Sequence, residues 1–316
     1  MPDVVSRGTL FDPTLVKDLI TKVAGKSSLI KLANQEPVAF NGNKYFTFTM
    51  DDEVNMVAEN AAKARGGMAL SPKTVVPIKV EYGARVSDEF MYGAEELKLD
   101  ILRQFNEGYA KKVARGLDIM AMHRMNPRTA TVSTQIDAAN AFDTAIDQAN
   151  IVEYDSTVTN GANEAIEEAA AKIAEYADLT GVAMSRDFAR DLAKTTNDEE
   201  GKGARMYPEL RWGGNPGSLN GTPVDVNSTV SFGESDDKAI VGDFQNFFRW
   251  GIAKEIPLEV IQYGNPDNSE DGDLKGHNQV YLRAETYIGF AIMDPAAFAM
   301  IVAEGEGEQT EEQPAG

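Results

Sequence analysis

The sequence predicts an α+β fold organised around one long helix. Three observations carry that reading. An amphipathic stretch runs from Ser87 to Arg124. Strand-like runs lie on both sides of it, at 37–85 and 247–292. A helix, strand, helix pattern fills 161–195, with two more strand-like segments after it.

Taken in order, residues 1–36 hold a short helical pattern from Thr14 to Lys22, behind the turn signal Asp12-Pro13. They have too little apolar area for a core of their own, so they are expected to lie on something else. From Pro37 the pattern becomes strands. Asn41-Gly42 is a turn, Tyr45, Phe46 and Phe48 follow it, and Val75, Val76, Ile78, Val80 and Tyr82 form a second run. Between them lies a polar, alanine-rich excursion of about twenty residues, longer than compact domains carry without a use for it. A loop that reaches another chain would account for it.

In the long helix, Ser87 is the predicted N-cap, and Asp88 and Glu89 suit the positive end of the dipole. Phe90, Ala94, Leu97, Ile101, Phe105, Tyr109, Val113, Leu117 and Met120 fall in one stripe. Lys111, Lys112, Arg115 and Arg124 load the last turns before Asn126-Pro127 stops the helix. Such an element would span about 55 Å. Gly93, Gly108 and Gly116 each cost about 1 kcal/mol there, so the helix needs tertiary support along its length.

Residues 127–160 are weakly patterned. Gly161–Ala177 reads as an acidic helix, 181–185 as a buried strand, Arg186–Lys194 as a helix, and the segments after Gly221 and Ala239 as strands. A long β-hairpin then has arms 247–264 and 277–293 and a polar tip between them. Asp294-Pro295 opens a predicted last helix over AAFAMIVAE. The acidic tail 304–316 is too poor in apolar residues to order itself.

Composition narrows the function. The 316 residues suffice for about two domains, and the absence of cysteine removes disulfides, thiolate metal sites and cysteine nucleophiles. A formal charge of −20 opposes a nucleic-acid reader, which needs a basic face. No apolar run approaches the ~18 residues of a membrane span, and the first residues lack the pattern of a signal peptide. Individual motifs are weak. Asp267 to Asp273 imitates half of a calcium loop, but its twelfth position is Asn278 and strands flank it, so it reads as a turn. Gly201-Lys-Gly203 and Asp236-Asp237 read as ordinary surface, Glu167-Glu168 as a solvated helix face, and His123 as a satisfied histidine. No catalytic, cofactor-binding or metal-binding residue is assigned.

In the C-terminal third, Gly221-Thr-Pro223-Val224, Ile240-Val-Gly242-Asp243-Phe244, Arg283-Ala-Glu285 with Gly289, and Asp294-Pro295-Ala-Ala-Phe298 follow one another. With the strand, long loop, strand and long helix upstream, they resemble tailed-phage major capsid proteins of the Hong Kong 97 type. The resemblance implies an N-arm at 1–36, an E-loop at 37–84, and a P-domain made of the spine helix with its following segment, 85–160, and the hairpin 247–282. It implies an A-domain from 161–246 and the closing strand and helix 283–303. The implied function is an icosahedral head shell of the virion, with no enzymatic activity and no cofactor, assembled in the host bacterial cytoplasm. Its implied partners are itself as pentamers and hexamers, a portal, scaffold or decoration proteins, and packaged double-stranded DNA bound without sequence specificity, with no membrane. Some relatives join an E-loop lysine to a P-domain asparagine. Here Lys63, Lys73, Asn265, Asn268 and Asn278 are the residues of those types, and nothing marks a pair. Only about ten residues precede Phe11-Asp12-Pro13, so no cleaved scaffolding segment is expected. The alternatives are an encapsulin-like protein nanocompartment and, from another class, an acidic hydrolase with paired carboxylates.

Overall fold

The computed structural model describes residues 27–304, except 51–53, 55, 58, 60–64, 89–94, 199–200, 234 and 271. The predicted helix Thr14–Lys22, the acidic tail, Phe90 and Ala94 of the helical stripe, and Glu89 and Gly93 of the same predicted helix lie outside the described residues. The first described element is the short helix α1 (Ser28–Leu32), capped by Ser27, whose hydroxyl accepts from the Ile30 N–H.

Strands β1 (Asn43–Met50) and β2 (Met68–Val75) pair antiparallel as a separate ribbon. Strand β3 (Ile78–Ser87) follows. The run from Val75 to Tyr82 is therefore two strands, not one. It breaks before Pro77, which has no N–H to give to a ladder. Ser87 is also not a helix cap: it ends β3, opposite Gln279. Helix α2 begins later and runs from Glu95 to His123 over 29 residues, about 43 Å. The serine-and-acid signature before an apolar run lost to strand pairing, because ten residues of β3 find backbone partners on a neighbouring strand.

That neighbour is half of the predicted hairpin. After one short antiparallel pair, β4 (Met125–Asn126) with β5 (Thr131–Val132), comes α3 (Phe142–Ala145), then β6 (Ile151–Tyr154), α4 (Gly161–Ile173), β7 (Gly181–Met184) and α5 (Arg186–Leu192). Next are β8 (Ser218–Leu219), β9 (Thr222–Val226), β10 (Asp237–Gly242) and α6 (Phe244–Phe247). The hairpin itself is β11 (Phe248–Ile261) and β12 (Gln279–Ile292), and β13 (Phe298–Ala303) closes the described chain. One sheet has the order β11-β12-β3 and another β6-β13-β10-β7-β9-β8.

β13 corrects the predicted last helix. Only Pro295–Ala297 make a helical turn, and Phe298–Ala303 then pair antiparallel with β10 and parallel with β6. A strand covered on both sides reads as a continuous apolar run, which periodicity cannot tell from a buried helix.

Helix α2 buries Leu102, Tyr109, Ala110, Val113, Leu117, Met120 and Ala121 in one core with Leu282, Ala284 and Ile288 of β12. The Tyr109 hydroxyl donates to Thr286 Oγ1 at 2.8 Å, so the helix is pinned to the sheet as well as packed on it. The six-stranded sheet has a second core with α4 and α5, including Ala165, Ala169, Ile173, Phe188 and Ile301. Four fully buried phenylalanines, Phe142, Phe244, Phe248 and Phe298, meet where the two sheets adjoin; Phe142 lies edge-on to Phe298 at 5.0 Å. Edge-to-face pairs add to area burial, so this cluster fixes one sheet against the other.

Candidate assembly site

The β1-β2 ribbon leaves an apolar face open. In an antiparallel pair, opposed residues share a face, and here Phe46 opposes Pro72 while Phe48 opposes Leu70. Phe46, Phe48, Leu70 and Met68 are 61%, 50%, 58% and 71% exposed. Past the ribbon, Val54 and Met56 are each 96% exposed. The opposite face rests on the subunit: buried Val75 and the half-buried Tyr45 pack with Val38, Ala291 and Met293, Lys73 Nζ donates to the Ala139 carbonyl at 3.2 Å and Thr47 Oγ1 to that of Met293 at 3.5 Å. Two strands alone do not bury enough to be stable in water, and an apolar patch of this kind marks a contact surface.

The first described residues are fastened to the rest at one buried carboxylate. Asp118 of α2 accepts from the Ser28 and Leu29 N–H groups at 2.8 and 3.2 Å, from Thr229 Oγ1 at 2.8 Å, and from Ser27 Oγ at 2.5 Å. It therefore caps α1 from outside and ties it to the loop after β9. Burial pushes the Asp118 carboxyl up to about 6 despite these donors. Beside it, Ser28 Oγ donates to Asp225 Oδ2 and Lys31 pairs with Asp225 Oδ1 at 2.9 Å.

A second fastening is on the hairpin. Glu36 N–H donates to the Trp250 carbonyl at 2.9 Å, and Arg249 pairs with Glu36 at 3.2 Å. The strand beneath has glycine where the chain crosses it, since a Cβ on Gly251 would lie 1.8 Å from the Glu36 carbonyl oxygen.

At the hairpin tip, the oxygens that imitate a calcium loop are turned on an arginine. Arg85 of β3 donates to both oxygens of Asp267, at 2.6 and 2.9 Å, to Asn265 Oδ1 at 2.7 Å and to the Gly272 carbonyl at 2.9 Å. Asp273 accepts from the Gly264 and Lys275 N–H groups. The guanidinium thus fills the place a cation would take, and it holds the Asp267 carboxyl well below the usual carboxylate range. Lys63 lies outside the described residues. Lys73 is occupied by Ala139, Asn265 by Arg85 and Ser269, and Asn268 and Asn278 take left-handed turn positions with φ of 51° and 53°.

His123 has partners at both ring nitrogens, as a satisfied histidine would, but the sequence does not show which residues they are. Its ring is fully buried at the end of α2, with Nε2 2.8 Å from the Thr229 carbonyl and Nδ1 3.0 and 3.2 Å from Asp143 and Asp237. Burial alone would lower its pKa, but hydrogen bonds that the ring donates to the two carboxylates raise it to about 10. Nothing in the chain around Asp143 or Asp237 announces this meeting, because three separate elements bring the residues together.

The family model described as the phage capsid family matches residues 7–303. Solved structures similar to this chain include one from Mycobacterium phage Ogopogo, at 29% identity and TM-score 0.74 over 88% of this chain and 92% of that one. Another, from Gordonia phage Cozz, has 24% identity and TM-score 0.72 over 89% and 87%. A third, titled "Capsid of native GTA particle computed with C5 symmetry", shares the fold at 14% identity and TM-score 0.61 over 88% and 90%. No curated protein sequence matches.

Proposed function

We propose a role for each part of this fold from one premise: the chain belongs to the phage capsid family, matched over residues 7–303, and is a major capsid protein of a phage head shell. The nanocompartment alternative is not favoured. In this reading the segment 1–36 is the N-arm, the β1-β2 ribbon and residues 51–67 are the E-loop, α2 with the hairpin β11-β12 is the P-domain, and the six-stranded sheet with its helices is the A-domain. Subunits join as pentamers and hexamers around A-domains, and each E-loop lies over a neighbour. A portal and separate scaffold or decoration proteins complete the head, which encloses double-stranded DNA without reading its sequence. Assembly takes place in the cytoplasm of the bacterial host, and the subunit carries out no catalysis.

The observation that carries this is the open face of Phe46, Phe48, Leu70 and Met68. Among the described residues of one subunit nothing covers it, and closed symmetry would cover it in every copy at once. Removing residues 51–67 and joining Met50 to Met68 by a tight turn tests the reading. The remaining subunit should keep its two cores and its circular dichroism yet form no shells by electron microscopy. Shells of normal size from that variant would overturn the assignment of the loop. Nucleic acid recovered from intact particles supports the genome-enclosing role, and an enzyme cargo in its place would refute it.

A further inference from the structure

We propose that His123, Asp143 and Asp237 form a binding site for one divalent transition-metal ion, with Zn²⁺ the best match, at the joint between the long helix and the six-stranded sheet. Among the described residues these three side chains form a group with ligand atoms all within 4.8 Å of one another. Three features distinguish it from a chance meeting of acids.

The first is the ring. Nε2 faces the Thr229 carbonyl at 2.8 Å, so that nitrogen carries a proton and donates it. A ligating histidine is usually held by such a bond from its other nitrogen, which fixes the ring and aims the free lone pair. The second is convergence. Asp143 Oδ2 and Asp237 Oδ2 both approach Nδ1, at 3.0 and 3.2 Å. One N–H serves one acceptor well, whereas a metal ion in that proton's place would bond all three atoms. Two ligands each about 2.1 Å from a tetrahedral zinc stand about 3.4 Å apart, so each carboxylate oxygen is within tenths of an ångström of its required distance from Nδ1. The third is access and support. The His123 side chain is fully buried and that of Asp237 is 10% exposed, but that of Asp143 is 27% exposed, leaving a route in and room for a water ligand. Asp237 is itself held by Ser235, whose hydroxyl donates to the same Oδ2.

The donor set is one imidazole and two carboxylates. Such a set suits Zn²⁺ and its neighbours in the first transition row, and suits Mg²⁺ poorly, because Mg²⁺ prefers oxygen and keeps its waters. The ion would displace one proton from Nδ1 and neutralise both carboxylates. Its structural effect would be a cross-link between the end of α2, helix α3 and the start of β10.

The test is calorimetric titration of the full-length unassembled subunit with Zn²⁺ alone, with Mg²⁺ in parallel, alongside thermal unfolding. The expected result is one Zn²⁺ per subunit, a raised melting temperature, and no comparable effect of Mg²⁺. Asp143→Asn should weaken Zn²⁺ binding by about tenfold or more. Because His123→Gln could fail to fold, Co²⁺ bound to the wild-type chain provides a second readout: visible absorption of a low-coordinate nitrogen and oxygen site, lost in Asp143→Asn. Absence of Zn²⁺ binding would overturn the proposal. Binding that Asp143→Asn leaves unchanged would overturn it too, since the ion would then sit among other acids of the surface.

Discussion

The Ser28 N–H donates to Asp118 Oδ2 at 2.8 Å across 90 residues of sequence. That bond, with those from Ser27, Leu29 and Thr229 to the same carboxylate, makes Asp118 the external cap of α1 and the point where three parts of the chain meet. Removing it leaves several buried donors without an acceptor, and each such donor costs roughly 1–3 kcal/mol. Asp118→Ala should therefore lose about 3 kcal/mol or more in denaturant unfolding of the unassembled subunit, more than a neutral cavity of that size would cost. A loss under about 1 kcal/mol would mean that water replaces the carboxylate.

The same residue sets a pH dependence whose sign follows from its environment. Burial holds its carboxyl up to about 6, against an ordinary 3.8. The folded subunit thus takes up this proton at higher pH than the unfolded chain does. Its contribution to stability is complete below the ordinary value and is lost as pH rises through about 6. Asp118→Asn removes the titration, so the stability gap between wild type and variant should be wider at about pH 5 than at about pH 8. Equal gaps at both would place the folded-state pKa near the unfolded one.

Gly251 carries a prediction of a different kind, because its role is to leave room. A methyl group there would meet the Glu36 carbonyl oxygen at 1.8 Å, so Gly251→Ala forces residues 35–38 off the hairpin. The Glu36 to Trp250 backbone bond and the ion pair between Glu36 and Arg249 would go with them. Hydrogen exchange at Glu36 should speed up in the variant while exchange in β13 stays slow. Unchanged protection at Glu36 would show that the strand gives way instead of the crossing segment.

These residues also mark what the sequence could and could not reveal. The helical stripe Tyr109, Val113, Leu117 and Met120 was legible because local periodicity and burial agree. The two arms of the hairpin were legible for the same reason. Ser87 and the AAFAMIVAE segment were misread because each carried a helix signal that a partner strand overrode, and those partners lie far away in sequence. The joints were invisible. Asp118 sits on the long helix like any acid between apolar neighbours, Asp237 resembles half of a surface pair, and only the folded chain turns Asp118 to α1 and Asp237 to His123. The excursion between the two strands left a clearer trace, as a polar, alanine-rich segment longer than compact domains usually carry.

Assembly itself should respond to salt. Each chain carries a formal charge of −20, so subunits repel until their fields are screened. Raising ionic strength from about 0.01 M to 0.15 M shortens the Debye length from about 30 Å to about 8 Å. Light scattering of purified subunits should show faster or more extensive association over that range. Association that weakens steadily with salt would point to ion pairs between subunits outweighing the net repulsion.

The last prediction concerns the hairpin tip, where Arg85 gathers Asp267, Asn265 and Gly272 around one guanidinium. The tip has few large apolar residues of its own: Leu274 is buried, but Tyr263 is 68% exposed, so its shape depends on that fork. Lysine keeps the charge of Arg85 but cannot address two carboxylate oxygens, an amide and a carbonyl in one plane. Arg85→Lys should thus loosen residues 264–278 without unfolding the helix, and trypsin should cut after Lys275 faster than in wild type. The pH dependence of the wild-type tip has a definite sign. Arg85 holds the Asp267 carboxyl below its ordinary range, so the attachment is complete above about pH 4 and is lost only as pH falls well below that. A carbon-13 titration of the Asp267 carboxyl should accordingly show no inflection between about pH 4 and 7 in wild type and a midpoint near the ordinary value in Arg85→Ala. An ordinary midpoint in the wild-type chain would mean that the fork does not persist in solution, and that the tip is held by its backbone turns alone.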